Sequence, residues 1–182
     1  MKTYNVTIQG TTPLLMNRPS AMIGDISKDK KAFKNNAQEM AEEKLYQLNG
    51  KLYMPATHIQ GALIDAGKVK KVVGKGKSTY SKIVGYAVTI EPFELIHKIQ
   101  KWEVFSILAV NPVTKGRNLL HRPMLRKWEV DFKVSFDESE IPESIMKELL
   151  DIAGRISGVG DWRPSKKGPY GRFQVTSWKE AK

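Results

Sequence analysis

The chain has 182 residues, of which 41% are apolar. That length suits one domain with elaborations, and that composition builds a core and sets aside wholesale disorder. It contains no cysteine, so neither a disulfide framework nor a thiolate metal site is available, which fits a reducing compartment. With 30 Lys+Arg against 19 Asp+Glu the net charge is +11, a balance that draws polyanions: nucleic acid, or an anionic membrane surface.

Taken in chain order, Tyr4, Val6 and Ile8 alternate with polar residues, the period of a half-buried strand, and Gly10-Thr11-Thr12-Pro13 ends it. This opening has no apolar signal-peptide core, and no stretch approaches the ~20 apolar residues of a membrane span, so a cytoplasmic protein with no membrane partner is expected. The spacing predicts a helix over 36–48, capped by Asn36 with Glu39 at the capping-box offset, then an Asn49-Gly50 turn and a short strand Lys51–Met54. Thr57-His58-Ile59-Gln60 is a second capping box. Ile59, Ala62, Leu63, Ala66 and Val69 form the apolar face of the helix that follows. Val73–Ser81 reads as an exposed loop and Tyr86–Ile90 as a strand. Trp102–Val110 and Lys127–Phe136 are long strand runs with a loop signature, Asn111–Asn118, between them. Pro142 opens a last helix with Ile145, Leu149, Ile152 and Ile156 as its stripe. A Gly/Pro-punctuated loop, Gly158–Gly171, then leads into a closing strand Arg172–Trp178.

Without insertions the order is strand, helix, strand, strand, helix, strand. That is the α+β, ferredoxin-like (RRM-like) plan, whose open sheet face often receives single-stranded RNA. One domain spans 1–182, with an insertion over 17–50, a hairpin over 111–126 and a glycine-rich loop over 158–172.

Cations cluster. Lys68, Lys70, Lys71, Lys75, Lys77 and Lys82 stand in 66–82 with no acid after Asp65, and Lys115, Arg117, Arg122, Arg126 and Lys127 in 115–127 with none at all. Lys68, Lys70, Lys71, Lys75 and Lys77 could track a phosphate backbone; the plain reading is a solvated helix end, where lysines also suit the helix dipole. In the glycine-rich loop, Gly158 and Gly160 would let backbone amides approach phosphates. Arg163, Lys166, Lys167 and Arg172 add charge, and Trp162 and Tyr170 offer rings for unpaired bases. The plain reading there is a loop that only turns the chain. Gly74–Thr79 lacks the spacing and the preceding strand of a phosphate-binding P-loop. The histidines, His58, His97 and His121, are scattered, with no His-x3-His or carboxylate pair, so neither a metal nor a cofactor is expected.

Three segments together resemble the RAMP superfamily, the proteins that build CRISPR effector backbones. Val6–Leu15 is similar to the family's opening strand and its Thr/Ser-Pro-Leu turn. Leu52–Leu63 is similar to its proline-led entry into the first core helix, although Ile64 stands where an arginine is common. Gly158–Val175 is similar to its glycine-rich loop and last strand. The resemblance implies a binding protein that coats single-stranded RNA, or DNA, alongside copies of itself or other effector subunits. It also implies a "thumb" hairpin in which Lys115, Arg117, His121 and Arg122 contact nucleic acid while Leu119, Leu120 and Met124 wedge or pack. In some members an Asp after the first strand cuts RNA with a metal ion, and Asp25 is the nearest counterpart. A metal-dependent endoribonuclease, and a single-stranded-DNA-binding or assembly protein of a phage, are the alternative readings.

Overall fold

The structure, a computed structural model, describes residues 1–19, 36–110 and 115–181. The long alternating runs build one four-stranded antiparallel sheet from β1 (Lys2–Gly10), β5 (Val88–Glu91), β9 (Glu129–Phe136) and β10 (Phe173–Glu180), in the order β10-β1-β9-β5. Strict alternation sends one face inward. Tyr4, Val6 and Ile8 of β1 and Val130, Phe132, Val134 and Phe136 of β9 are buried. Two helices cover that face. From α2 (Ala56–Val69) Ile59, Ala62, Leu63 and Ala66 point in, and from α4 (Glu143–Ile152) Met146, Leu149, Leu150 and Ile152 do. Each large apolar side chain so buried contributes about 1.5–3 kcal/mol. Tyr4 stacks between Phe136 and Trp178, at 5.5 and 4.7 Å between ring centroids.

The other sheet face carries Thr3, Asn5, Thr7, Thr89, Asp131, Lys133 and Ser135, tied by Thr3–Ser135 (2.9 Å) and Thr7–Asp131 (2.7 Å) hydrogen bonds. These strands put no aromatic ring there; the ring beside this face is exposed Phe93, just beyond β5, which lines a concavity of about 760 Å³ with Asn5, Thr7, Asp131 and Lys133.

Several local expectations are corrected. The helix of 36–48 is only α1 (Ala37–Glu42). Asn36 caps it as expected, its side chain accepting from Gln38 N at 2.9 Å. The remainder turns into β3 (Gln47–Leu48), paired with β4 (Lys51–Pro55), because Asn49 and Gly50 adopt φ of +49° and +76° and close a tight hairpin. In α2 the cap position is Pro55, not Thr57. Gln60 bonds across to the Val84 and Val88 carbonyls instead of back along its own helix. Tyr86 and Ala87 are not strand but the end of an unexpected helix, α3 (Tyr80–Ala87), which packs on α2 through Tyr80, Ile83, Val84 and Ala87. A short β6 (Glu94–Ile96) pairs with β4.

The hairpin is larger than 111–126. Its arms are β7 (Glu103–Val110) and β8 (Arg117–Leu125), so the run Trp102–Val110 belongs to the hairpin and not to the main sheet. β2 (Leu14–Leu15) adds to β8 as a third strand. This anchors the hairpin base to the core through buried Leu14, Leu15, Met124 and Leu125.

Candidate nucleic-acid interface

After α4 the chain makes one π-helical turn (Ala153–Ser157) and ends it at Gly158, φ +67°, whose amide donates to Ala153 O at 2.8 Å. The loop that follows is stitched to the first strand's exit. Val159 N reaches Gly171 O (2.9 Å), Gly171 N reaches Pro13 O (2.8 Å), Asp161 N reaches Leu15 O (2.9 Å) and Arg172 N reaches Thr12 Oγ1 (2.9 Å). The glycines serve that stitching. A Cβ at Gly171 would sit 1.8 Å from Val159 O, one at Gly168 1.7 Å from Trp162 O, and one at Gly160 2.6 Å from Leu15 O. The amides of 158, 159, 161, 166–168 and 170–172 are all bonded within the protein, so Gly158, unlike Gly160, has its amide already engaged.

Asp161, Trp162, Lys166 and Tyr170 face the hairpin. Trp162 (φ +46°, 39% exposed) leans on Tyr170 with ring centroids 5.7 Å apart, and Tyr170 meets Phe105 of β7 edge-on at 5.5 Å. The result is a run of three rings from loop to hairpin. Arg122 of β8 crosses the same gap, its Nε donating to Asp161 Oδ2 at 3.0 Å and its Nη1 to His121 O at 3.2 Å. Between hairpin and loop lies a cavity of about 490 Å³ lined among others by Ile107, Leu120, Arg122, Asp161, Trp162 and Lys166. Lys166 and Lys167 are exposed on a short 3-10 turn (Pro164–Lys166) with no ion-pair partner among the described residues. Arg163 donates to Gly160 O at 3.2 Å, and Arg172 donates to Arg155 O.

Cross-strand register divides the hairpin into two faces. Phe105 opposite Arg122 and Ile107 opposite Leu120 share one. Ser106 opposite His121, Leu108 opposite Leu119 and Val110 opposite Arg117 share the other, where Leu108, Val110 and Leu119 are exposed and Ser106 Oγ lies 2.7 Å from His121 Nδ1. Lys115 and Arg117 are exposed toward the tip.

Arg122, Asp161, Trp162, Lys166 and Tyr170 therefore meet across the gap between hairpin and loop, while His121 lies on the hairpin's other face and Lys115 and Arg117 stand toward its tip. The lysines of 68–77 do not join them. The first turn of α2 lies against the glycine-rich loop, around a small cavity lined by Thr57, His58, Gly61, Gly160 and Arg163. Fourteen helical residues at ~1.5 Å each make α2 roughly 20 Å long and put its last turn at the opposite end. There Lys68 pairs with Asp65 (2.6 Å) and Lys70 with Glu148 (2.6 Å), while Lys71, Lys75 and Lys77 are exposed and free of ion pairs among the described residues. Asp25 lies outside the described residues. Burial, helped by the nearby Arg163 charge, pushes the His58 imidazole down to about 4, and burial with His58 close by does the same to His97. Among the described residues no group of three or more His, Asp or Glu side chains is placed to hold a metal ion. Trp102, Trp128 and Trp178 pack on the core, as their strand patterns suggest. Trp128 donates to Thr12 O at 2.9 Å.

Phe105 and Asp161 escaped the sequence reading. Phe105 is one aromatic in an apolar strand, and Asp161 one acid in a basic loop; only the cross-hairpin approach reveals either. No protein-family model matches the chain, and no curated protein matches it. Among solved structures it is similar to a chain of the Type III-B Cmr-beta complex bound to cognate target RNA, seen by cryo-electron microscopy. The TM-score is 0.53 and the identity 15%, over 100% of this chain and 61% of that one. The likeness is one of fold, and this chain spans less than two thirds of its neighbour's length.

Proposed function

We propose that this is a cytoplasmic, single-domain RAMP-like protein that holds single-stranded nucleic acid, RNA before DNA, in the groove between the β7–β8 hairpin and the glycine-rich loop, without cutting it. The strand order β10-β1-β9-β5, with α2 after β1 and α4 after β9, reads as the ferredoxin-like plan, and the hairpin as the thumb of a CRISPR-backbone-like subunit. One observation carries the reading: the ring run Trp162–Tyr170–Phe105 lies beside exposed Lys166 and Lys167, which have no ion-pair partner among the described residues. Rings give bases a stacking surface and cations meet the phosphates, which is how single strands are gripped with little sequence preference. The fold likeness to a chain of an RNA-bound complex supports it. The exposed outer face of the hairpin, Leu108, Val110 and Leu119, suits contact with another copy or another effector subunit.

The test is titration of a labelled oligouridylate. Affinity falls steeply from ~50 to ~200 mM salt, and Trp162→Ala weakens binding by about 1–3 kcal/mol. The RNA stays intact in Mg²⁺ as in EDTA, and Asp25→Ala leaves it so. Salt-independent affinity sinks the electrostatic grip, and metal-dependent cleavage that the Asp25 variant abolishes moves the protein to the endoribonucleases.

A further inference from the structure

At the far end of α2 the chain forms a second basic concavity. The loop from Lys70 to Tyr80 is compact. Lys71 and Thr79 pair as a bridge, Val72 N donates to Ser78 O (2.9 Å), Ser78 N to Lys75 O (3.1 Å) and Tyr80 N to Lys70 O (3.1 Å). Buried Val72 and Tyr80 pin its two ends. Gly74 and Gly76 turn it at φ of +77° and +60°, in open space, so no protein atom presses on the turn from outside. Held this way, Lys75, Lys77 and Lys82 surround a cavity of about 570 Å³ with Ser78, Thr79 and Tyr86. None of the three lysines has an ion-pair partner among the described residues, unlike Lys68 and Lys70 just before them. Tyr86 exposes 70% of its surface, and its hydroxyl donates to Glu140 Oε2 at 3.4 Å.

We propose that this concavity is a separate nucleotide subsite, in which Tyr86 stacks on a base and Lys75, Lys77 and Lys82 take the adjoining phosphates of the strand whose other part lies in the hairpin groove. Three unpaired cations converging on one hollow repel one another, and the hollow is relieved by a polyanion. An exposed ring at its rim favours a nucleic acid over a bare anion, because stacking is the part of the grip a free phosphate cannot use. The subsite rests on the reading of the groove, and it makes binding length-dependent: a short strand fills the groove alone, a longer one reaches both.

The experiment compares wild type with Lys75→Gln/Lys77→Gln/Lys82→Gln, and separately with Tyr86→Ala, on oligouridylates from about 4 to about 16 nucleotides. The variants and wild type coincide at the short end and diverge with length. At the long end the triple variant loses about 2 from the slope of log affinity against log salt, three phosphate contacts at ~0.7 each. Tyr86→Ala weakens the long strand with the slope unchanged, which separates stacking from charge. Unaltered thermal melting certifies the fold. Wild-type binding with no divergence at any length overturns the subsite and spares the groove. An equal loss at every length also overturns it, since the lysines would then act as diffuse charge. A wild type that binds no oligonucleotide removes the groove reading and the subsite with it.

Discussion

Glycine does opposite things at two positions in this chain, and the surroundings decide which. Gly171 holds φ of +71°, and a side chain there would meet Val159 O at 1.8 Å, so Gly171→Ala has to move the β10 entry or the loop. A loss above about 2 kcal/mol is expected in chemical denaturation, together with a weaker groove. Gly61 sits within α2 in ordinary helical conformation with open space around it, so Gly61→Ala stabilises by about 0.5–1 kcal/mol in the same measurement. A neutral Gly171→Ala would mean that the tight stitching of 158–172 is wrong, and a neutral Gly61→Ala that the helix gains nothing there. The spacing of Gly158, Gly160, Gly168 and Gly171 already marked a turn-rich loop. That Gly160 and Gly171 admit the protein's own backbone was hidden, because it depends on β2 and on Pro13, more than 140 residues earlier in the chain.

At the scale of elements, hairpin and loop meet through the Arg122–Asp161 pair. Arg122 is largely shielded, with 15% of its side chain exposed against 33% for Asp161, so the pair is more than a surface contact and its removal strands a partly buried charge. Arg122→Ala and Asp161→Ala each loosen the hairpin. A double-mutant cycle is expected to return a coupling of about 1 kcal/mol or more, read as amide exchange in β8. Additive effects would mean that the hairpin is held by β2 and the rings alone. The arms of this hairpin were half legible: β7 looked like a sheet strand because its apolar run is long and continuous, and its partner β8 looked like loop because Arg117, His121 and Arg122 interrupt it. Pairing partner is a long-range property, and periodicity carries no label for it. Similarly, α3 was hidden by Gly85 and by the β-branched residues around it, and its helicity comes from packing on α2.

The whole molecule has a predictable acid limb. His58 and His97 sit on neighbouring elements with imidazoles pushed down to about 4, the second buried with both ring nitrogens unpartnered among the described residues. The unfolded chain takes up protons near pH 6.5 that the folded chain refuses until about 4, so stability is flat above pH 6.5 and falls as pH drops through that window, by at most about 3 kcal/mol for each residue. Urea unfolding at pH 7.5, 5.5 and 4.5 checks this. His97→Leu should remove about half of the slope, and an unchanged midpoint across the window would mean that neither ring is neutral and buried. The net charge of +11 works in the same direction, since self-repulsion grows as carboxylates protonate.

Composition and pattern alone established an α+β chain with a basic character, the main strands β1, β9 and β10, the two core helices, and a turn-rich loop bearing Trp162, Lys166 and Tyr170. These follow from local periodicity and turn chemistry, which neighbouring residues decide among themselves. Which strands pair, that Phe105 comes to Tyr170, that Arg122 answers Asp161, and that Lys68 and Lys70 stand at the opposite end of α2 from the glycine-rich loop were settled only by the tertiary structure. Each depends on residues far apart in sequence meeting across a core, and burial of apolar surface, not local preference, brings them together.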